Sequence, residues 1–202
     1  MASVCTLLTS LRDEDQRSPA SVRNLLLELA SCCRSGDAKA AIVSDGLELL
    51  LSLAADEHVL SNCETLEVLL ELLVLLLLDN PKAKTDAARY GALAVAVKCL
   101  HELSTRSEGG KRRSRILRRA LELVDLLAHT KEAEQKKCQK LVLRQILEVM
   151  AHAEEDGSVL LRATDTLGRF VDGSTNRIQL AASERAIPVL IGLLKLVGMM
   201  LT

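Results

Sequence analysis

The sequence predicts an all-α solenoid, and three observations lead there. Four stretches share one pattern: an apolar helix end, a polar patch with a short alanine-rich helix, a Gly or basic break, then a second apolar helix. They read LLELASCCRSGDAKAAIVSDGLELLLSL from Leu26, LVLLLLDNPKAKTDAARYGALAVAVKCL from Leu73, LVDLLAHTKEAEQKKCQKLVLRQILEVM from Leu123 and LGRFVDGSTNRIQLAASERAIPVLIGLL from Leu167, with starts 47, 50 and 44 residues apart. A period in that range marks stacked two- or three-helix units, none of which buries its apolar face except against its neighbours. Apolar spacing is helical throughout, with no sustained strand alternation. The composition, 49% apolar and 26% charged over 202 residues, is that of a globular chain with a core large enough for one domain, residues 1–202.

In chain order, the spacing predicts helices near 3–12, 19–34, 37–44, 47–56, 62–78, 81–89, 92–106, 112–129, 131–138, 140–153, 158–171, 175–183 and 187–200. All three prolines sit at helix starts, in Ser18-Pro19, Asn80-Pro81 and Ile187-Pro188, where the missing N–H costs nothing; in the first two a capping side chain precedes it. Ser61 with Glu64 reads as a capping box for the leucine-rich helix that follows. Breaks are predicted at Ser35-Gly36, Asp45-Gly46, Asp79-Asn80, Tyr90-Gly91, Glu108 to Lys111, Asp156-Gly157 and Asp172-Gly173. The longest apolar run, Leu72 to Leu78, falls far short of the roughly 20 residues of a membrane helix and predicts a helix buried on all sides. Cyclically the order is medium, long, short, with about four three-helix units and an incomplete fifth. The last helix, Val189 to Leu201, is apolar on every side and lacks a covering helix, whereas a terminal repeat carries a polar outer face. This predicts either a longer solenoid or self-association that buries Leu193, Leu194, Val197 and Met200.

At this level the units resemble armadillo repeats, in which a short first helix leads through a glycine turn into a second helix and a longer third. In the last unit Asn176, Ile178 and Ala186-Ile187-Pro188-Val189-Leu190-Ile191 resemble the family's N…I…G-A-I-P-x-L-V pattern, with Arg185 in place of Gly. Gly91-Ala92-Leu93 and Asp45-Gly46-Leu47 match more loosely, Lys140-Leu141 has no Gly, and HEAT repeats share the period. The resemblance implies a right-handed superhelix whose third helices line a concave groove. In nuclear-import receptors of this family an Asn near the end of each third helix clamps an extended peptide. Here the matching positions are Glu28, Val74, Asp125 and Arg169, so that clamp does not carry over.

No catalytic or cofactor motif is present: there is no GxSxG, HExxH, P-loop or GxGxxG. No cofactor is therefore expected. The six cysteines follow no CxxC or Cys/His spacing and read as small core hydrophobes of a reducing compartment. His58, His101, His129 and His152 are scattered singly. A net charge of −1 gives no overall pull toward nucleic acid or anionic lipid, and two aromatic residues in the whole chain supply no stacking platform. The start, MASVCTLLTSLRDEDQ, lacks a basic lead and is soon acidic, which points away from a signal peptide and toward cytosol or nucleus.

Helical steps of three and four collect charged stripes instead. These are Glu64, Glu67 and Glu71; then Arg115, Arg118, Glu122 and Asp125; then Arg162, Asp165 and Arg169. Along the inferred groove an acidic strip passes into a basic and mixed one. A solvated helix face with internal ion pairs is the plainer reading of the same residues. Lys111, Arg112, Arg113, Arg115, Arg118 and Arg119 form the densest charge, at a helix N-terminus where the dipole disfavours cations. The KRRSR stretch also resembles a nuclear-import signal or a basophilic phosphorylation site at Ser114. The expectation is a non-catalytic scaffold that binds a protein segment. Alternatives are an adaptor for nucleic acid or anionic membrane through residues 111–119, or the substrate-binding region of a larger ligase-like protein.

Overall fold

The computed structural model describes residues 3–13, 18–105, 110–131, 133, 135–153 and 156–200, with all of their side chains except those of 194 and 196–200. The described residues form α-helices joined by short turns, with no strand among them. In order these are α1 (Val4–Arg12), α2 (Pro19–Cys32), α3 (Gly36–Ala55), α4 (Glu57–Ser61), α5 (Cys63–Leu77), α6 (Pro81–Arg89), α7 (Ala92–Ser104), α8 (Gly110–Leu127), α9 (Lys136–His152), α10 (Gly157–Val171), α11 (Thr175–Ser183) and α12 (Ala186–Met200). None of the described helices is long and apolar enough to cross a membrane.

At Pro19 and Pro81 the helix starts follow the predicted chemistry, whereas α12 begins at Ala186 and takes Pro188 as its third residue, where the N–H would still have no partner within the helix. Ser18 accepts from the N–H of Ser21 ahead of Pro19, and Asn80 accepts from that of Ala83 ahead of Pro81. Each side chain satisfies one of the N–H groups that a helix start leaves without a partner. The left-handed backbone of Gly91, φ +82°, turns the chain from α6 into α7. Arg185, in the place of the expected glycine before the last helix, takes the same region at φ +70°. A non-glycine residue is strained there.

Four further local expectations fail, each for a physical reason. The break at Asp45-Gly46 does not occur, because α3 runs through it. Gly46 is buried against α1, and a Cβ there would lie 2.6 Å from Leu8 Cδ2, so the glycine permits close packing rather than a turn. The two helices predicted over 131–138 and 140–153 form one helix, α9, from Lys136; residues 132 and 134 lie outside the described set. The α5 cap is Asn62, whose Oδ1 accepts from the Thr65 N–H at 3.0 Å, while Ser61 Oγ turns back to donate to the His58 carbonyl. Ser61 is instead the last residue of α4, a short helix capped by Asp56 that the sequence pattern does not predict.

The fourth correction concerns the apolar run. Leu72, Leu73, Leu76 and Leu77 are fully buried, but Leu75 and Leu78 are 40% and 43% exposed. Steps of three and four from Glu64 through Glu67 and Glu71 lead to these two leucines, so α5 keeps one outward stripe along its whole length.

Packing arranges the helices in two rows. In one, α2 packs on α5, α5 on α8 and α8 on α10; in the other, α3 packs on α7, α7 on α9 and α9 on α12. Contacts of α3 with α5, α7 with α8 and α9 with α10 join the rows. Between them lie fully buried side chains such as Leu66, Leu69, Leu70, Cys99, Leu100, Ile116, Val124, Ile146 and Phe170. The short helices α6 and α11 close one end. Arg177 of α11 is buried there, its guanidinium 4.5 Å from the Phe170 ring centroid and donating to the Phe170 carbonyl at 3.0 Å. This cation–π contact satisfies an otherwise costly buried charge.

All six cysteines are free thiols, and among them only Cys99 is fully buried. Burial pushes its pKa up to about 12, whereas Cys5 is exposed. Alkylation of the folded protein at pH 8 is expected to modify Cys5 and spare Cys99 until denaturant is added; rapid labelling of both would place Cys99 outside the core. Leu73→Ala should cost about 2–5 kcal/mol in chemical denaturation, against less than about 1 kcal/mol for the half-exposed Leu75. Equal losses would mean that α5 has no outward stripe.

Candidate functional site: a charged face on three helices

Because their apolar sides are turned into the core, α5, α8 and α10 must present their polar residues on a common outer face. The register of packing then decides which charges meet. Arg112 of α8 reaches Glu64 Oε1 at 2.7 Å and Glu67 Oε2 at 3.2 Å on α5. One turn on, Arg115 Nε lies 3.0 Å from Glu67 Oε1, and Arg119 lies 3.3 Å from Glu71 and 2.9 Å from Glu122 of its own helix. From the other side Arg23 of α2 reaches Glu64 at 2.8 Å. On the α10 side, Asp125 Oδ2 accepts from Arg162 at 3.3 Å and from Arg169 at 3.0 Å, and Asp165 lies 3.6 and 3.4 Å from the same two arginines.

The predicted stripe residues Glu64, Glu67, Glu71, Arg115, Glu122, Asp125, Arg162, Asp165 and Arg169 therefore meet as an ion-pair ladder across the helices. Arg118 lies on the same face, exposed, with no ion pair among the described residues. Most of the paired arginines are about half exposed, so each bridge contributes little, of order 0–1 kcal/mol.

The basic cluster is not one patch. Residues 110–113 belong to α8 itself, and the cluster divides among three jobs. Arg112, Arg115 and Arg119 meet the α5 carboxylates. Arg113 donates to the Leu103 and Ser104 carbonyls at 2.6 and 3.1 Å, capping the end of α7. Only Lys111 and Arg118 remain exposed without an ion pair among the described residues. The unfavourable placement of cations at a helix start is thus offset by facing carboxylates and by carbonyls at a helix C-terminus.

Two adjoining clefts occupy this face. One, of about 420 Å³, is lined by Glu67, Glu71, Arg115, Arg118, Arg119, Glu122 and Arg162. The other, of about 780 Å³, lies at the C-terminal ends of α8 and α10 against α6, and its wall includes Lys84, Thr85, Arg89, Asp125, His129, Lys131, Arg169 and Asp172. Of the four positions matched to the family's asparagines, Asp125 and Arg169 pair with each other, Glu28 is exposed, and Val74 is buried at 4% exposure. Val74 therefore cannot face a groove; Glu71 and Leu75 occupy that side of α5. No group of three or more His, Cys, Asp or Glu able to hold a metal occurs among the described residues.

Sequence reasoning misses the wall formed by Lys84, Arg89 and Lys131. Lys84 and Arg89 belong to the short polar helix α6, and only the fold brings that helix beside the end of α8. It also misses the tie between Ser114 and Asp156. Ser114 Oγ donates to the Asp156 carboxylate, which also caps α10 by accepting from the N–H groups of Ser158 at 3.1 Å and Val159 at 3.2 Å. These donors, Ser114 foremost, hold the Asp156 carboxyl below its ordinary range.

A lowered carboxyl pKa adds stability that is complete above the ordinary value near 3.8 and disappears as pH falls through the lower folded value. Asp156→Ala should therefore destabilise at pH 7 by about 1 kcal/mol, the usual worth of a helix cap. Its deficit relative to wild type should shrink as pH drops below 3.8. Melting curves recorded from pH 7 to pH 3 measure both; a deficit that grows toward acid would refute the tie.

Compared with protein-family models, with curated proteins and with solved structures, the chain matches none, and the armadillo resemblance rests on the repeated residue pattern alone.

Proposed function

We propose that this chain is a non-catalytic interaction scaffold, a right-handed α-solenoid of about four armadillo- or HEAT-like units with an incomplete last one, that takes a protein segment along the α5, α8 and α10 face. In this reading α2, α5, α8 and α10 are the third helices of successive units, and their serial packing supports it. The single observation that carries the function is the pair of clefts, about 420 and 780 Å³, that share α8 and are lined by side chains rich in hydrogen-bond donors and acceptors. A row of polar anchors beside two recesses on one face suits a chain whose backbone and side chains both need partners.

The reading of residues 111–119 as a nucleic-acid or anionic-membrane site loses support, because three of its arginines already face α5 carboxylates and a fourth caps α7. Self-association through α12 stays part of the proposal. Ile187 and Ile191, one turn apart, are 56% and 47% exposed, and Leu193 is half-buried; the side chains of Leu194, Val197 and Met200 lie outside the described set. A cytosolic or nuclear location accords with free thiols.

A photo-crosslinking residue at Thr85, in the wall of the larger cleft, tests the site, with Ala94, exposed on α7, as control. In cells, Thr85 should capture a discrete protein that Ala94 does not. Capture at Ala94 alone, or adducts of Thr85 with nucleic acid only, would overturn the proposal.

A further inference from the structure

We propose that the segment held by this face is acidic and extended, with carboxylates at two points about five residues apart; this rests on the groove reading above. The charges of the two clefts are unevenly matched. Eight cations line them against five carboxylates, although the whole chain carries a net charge of −1. Five of those cations are already engaged: Arg115 by Glu67, Arg119 by Glu71 and Glu122, Arg162 and Arg169 by Asp125 and Asp165, and Arg89 by Asp86 at 3.6 Å. Arg118, Lys84 and Lys131 have no ion pair among the described residues. Asp172 lines the same cleft and offsets the charge of one of the two lysines. Among the described residues a positive surplus therefore sits at two separate places, Arg118 in the smaller cleft and Lys84 with Lys131 in the larger.

The distance between these places sets the spacing of the ligand. From Arg118 to the end of α8 at Leu127 is nine residues of helix, about 14 Å at 1.5 Å per residue, and the turn to His129 carries the larger cleft a little further. An extended chain covers that length in about five residues. An amphipathic helix docks by laying an apolar face into an apolar groove. Here charged and polar residues, with their aliphatic stems, make up most of the lining, and Leu126 and Pro81 are the apolar residues in it, so the bound segment is extended.

The same interleaving selects the class of partner. Glu71, Glu122 and Asp125 lie along the path between the two anchors and would repel a nucleic-acid backbone, which carries a phosphate every 3.4 Å of each strand. Discrete carboxylates can straddle them. A bilayer surface is too flat to enter recesses of this kind.

The test uses the full chain and a labelled peptide, acetyl-Asp-Asp-Gly-Ser-Gly-Ser-Asp-Asp-amide, in fluorescence anisotropy at low salt. The peptide should bind, its all-lysine counterpart should not, and shortening the Gly-Ser spacer to one residue should weaken binding several-fold. Arg118→Glu and Lys84→Glu should each weaken it about tenfold, while Lys195→Glu, an equal charge change on exposed α12, should leave it unchanged. If circular dichroism shows Arg118→Glu misfolded, Arg118→Gln serves, with a smaller loss expected. Equal loss from Lys195→Glu, indifference to spacing, or tighter binding of a 12-base-pair DNA or of phosphatidylserine vesicles would overturn the proposal. If Thr85 crosslinks a protein while no acidic peptide binds, the groove stands and its acidic ligand falls; if neither occurs, both fall.

Discussion

Everything in this molecule depends on α5 being covered by its neighbours. A helix with Leu66, Leu69, Leu70, Leu72, Leu73, Leu76 and Leu77 buried has no means of hiding them by itself, and α2, α8 and α3 supply the cover. Burying each such side chain is worth roughly 1.5–3 kcal/mol, far more than any exposed ion pair on the surface. Hydrophobic contact between neighbouring helices therefore sets their spacing and register, and the charged groups adapt to it.

The ion-pair ladder is the consequence. Once the apolar stripes of α5 and α8 are locked together, Glu64, Glu67 and Glu71 stand opposite Arg112, Arg115 and Arg119 at matching helical intervals. The pairs add little to stability, but they oppose a slip of one turn, which would leave charges facing unmatched neighbours. They also consume most of the positive charge that the sequence concentrates near residue 112. What remains unpaired in that cluster among the described residues is small and localised, at Lys111 and Arg118.

Two residues show how the fold reuses ordinary chemistry for junctions. Asp156 caps α10 and accepts from Ser114 of α8, so one carboxylate both starts a helix and ties it to the next in the row. Arg177 holds the α10 to α11 turn from within, its charge resting on Phe170 and on that residue's carbonyl. Neither role is visible in spacing, because both join positions whose proximity only tertiary packing creates.

Helical periodicity, proline and capping side chains determined most of the helices of this protein, since those signals act over three or four neighbouring residues and need no tertiary partner. Amphipathic stripes likewise determined which charged residues share a face. Tertiary structure decided everything that depends on the other side of a contact. Gly46 looks like a turn until Leu8 fills the space beside it. Leu75 and Leu78 look buried until α5 is seen to have an uncovered side. The cluster at 111–119 looks like a free basic patch until α5 brings its glutamates within 3.3 Å. Lys84, on a helix the pattern leaves to solvent, enters the cleft wall only because α6 folds beside α8. Burial and pairing are properties of two surfaces together, and the sequence lists only one side at a time.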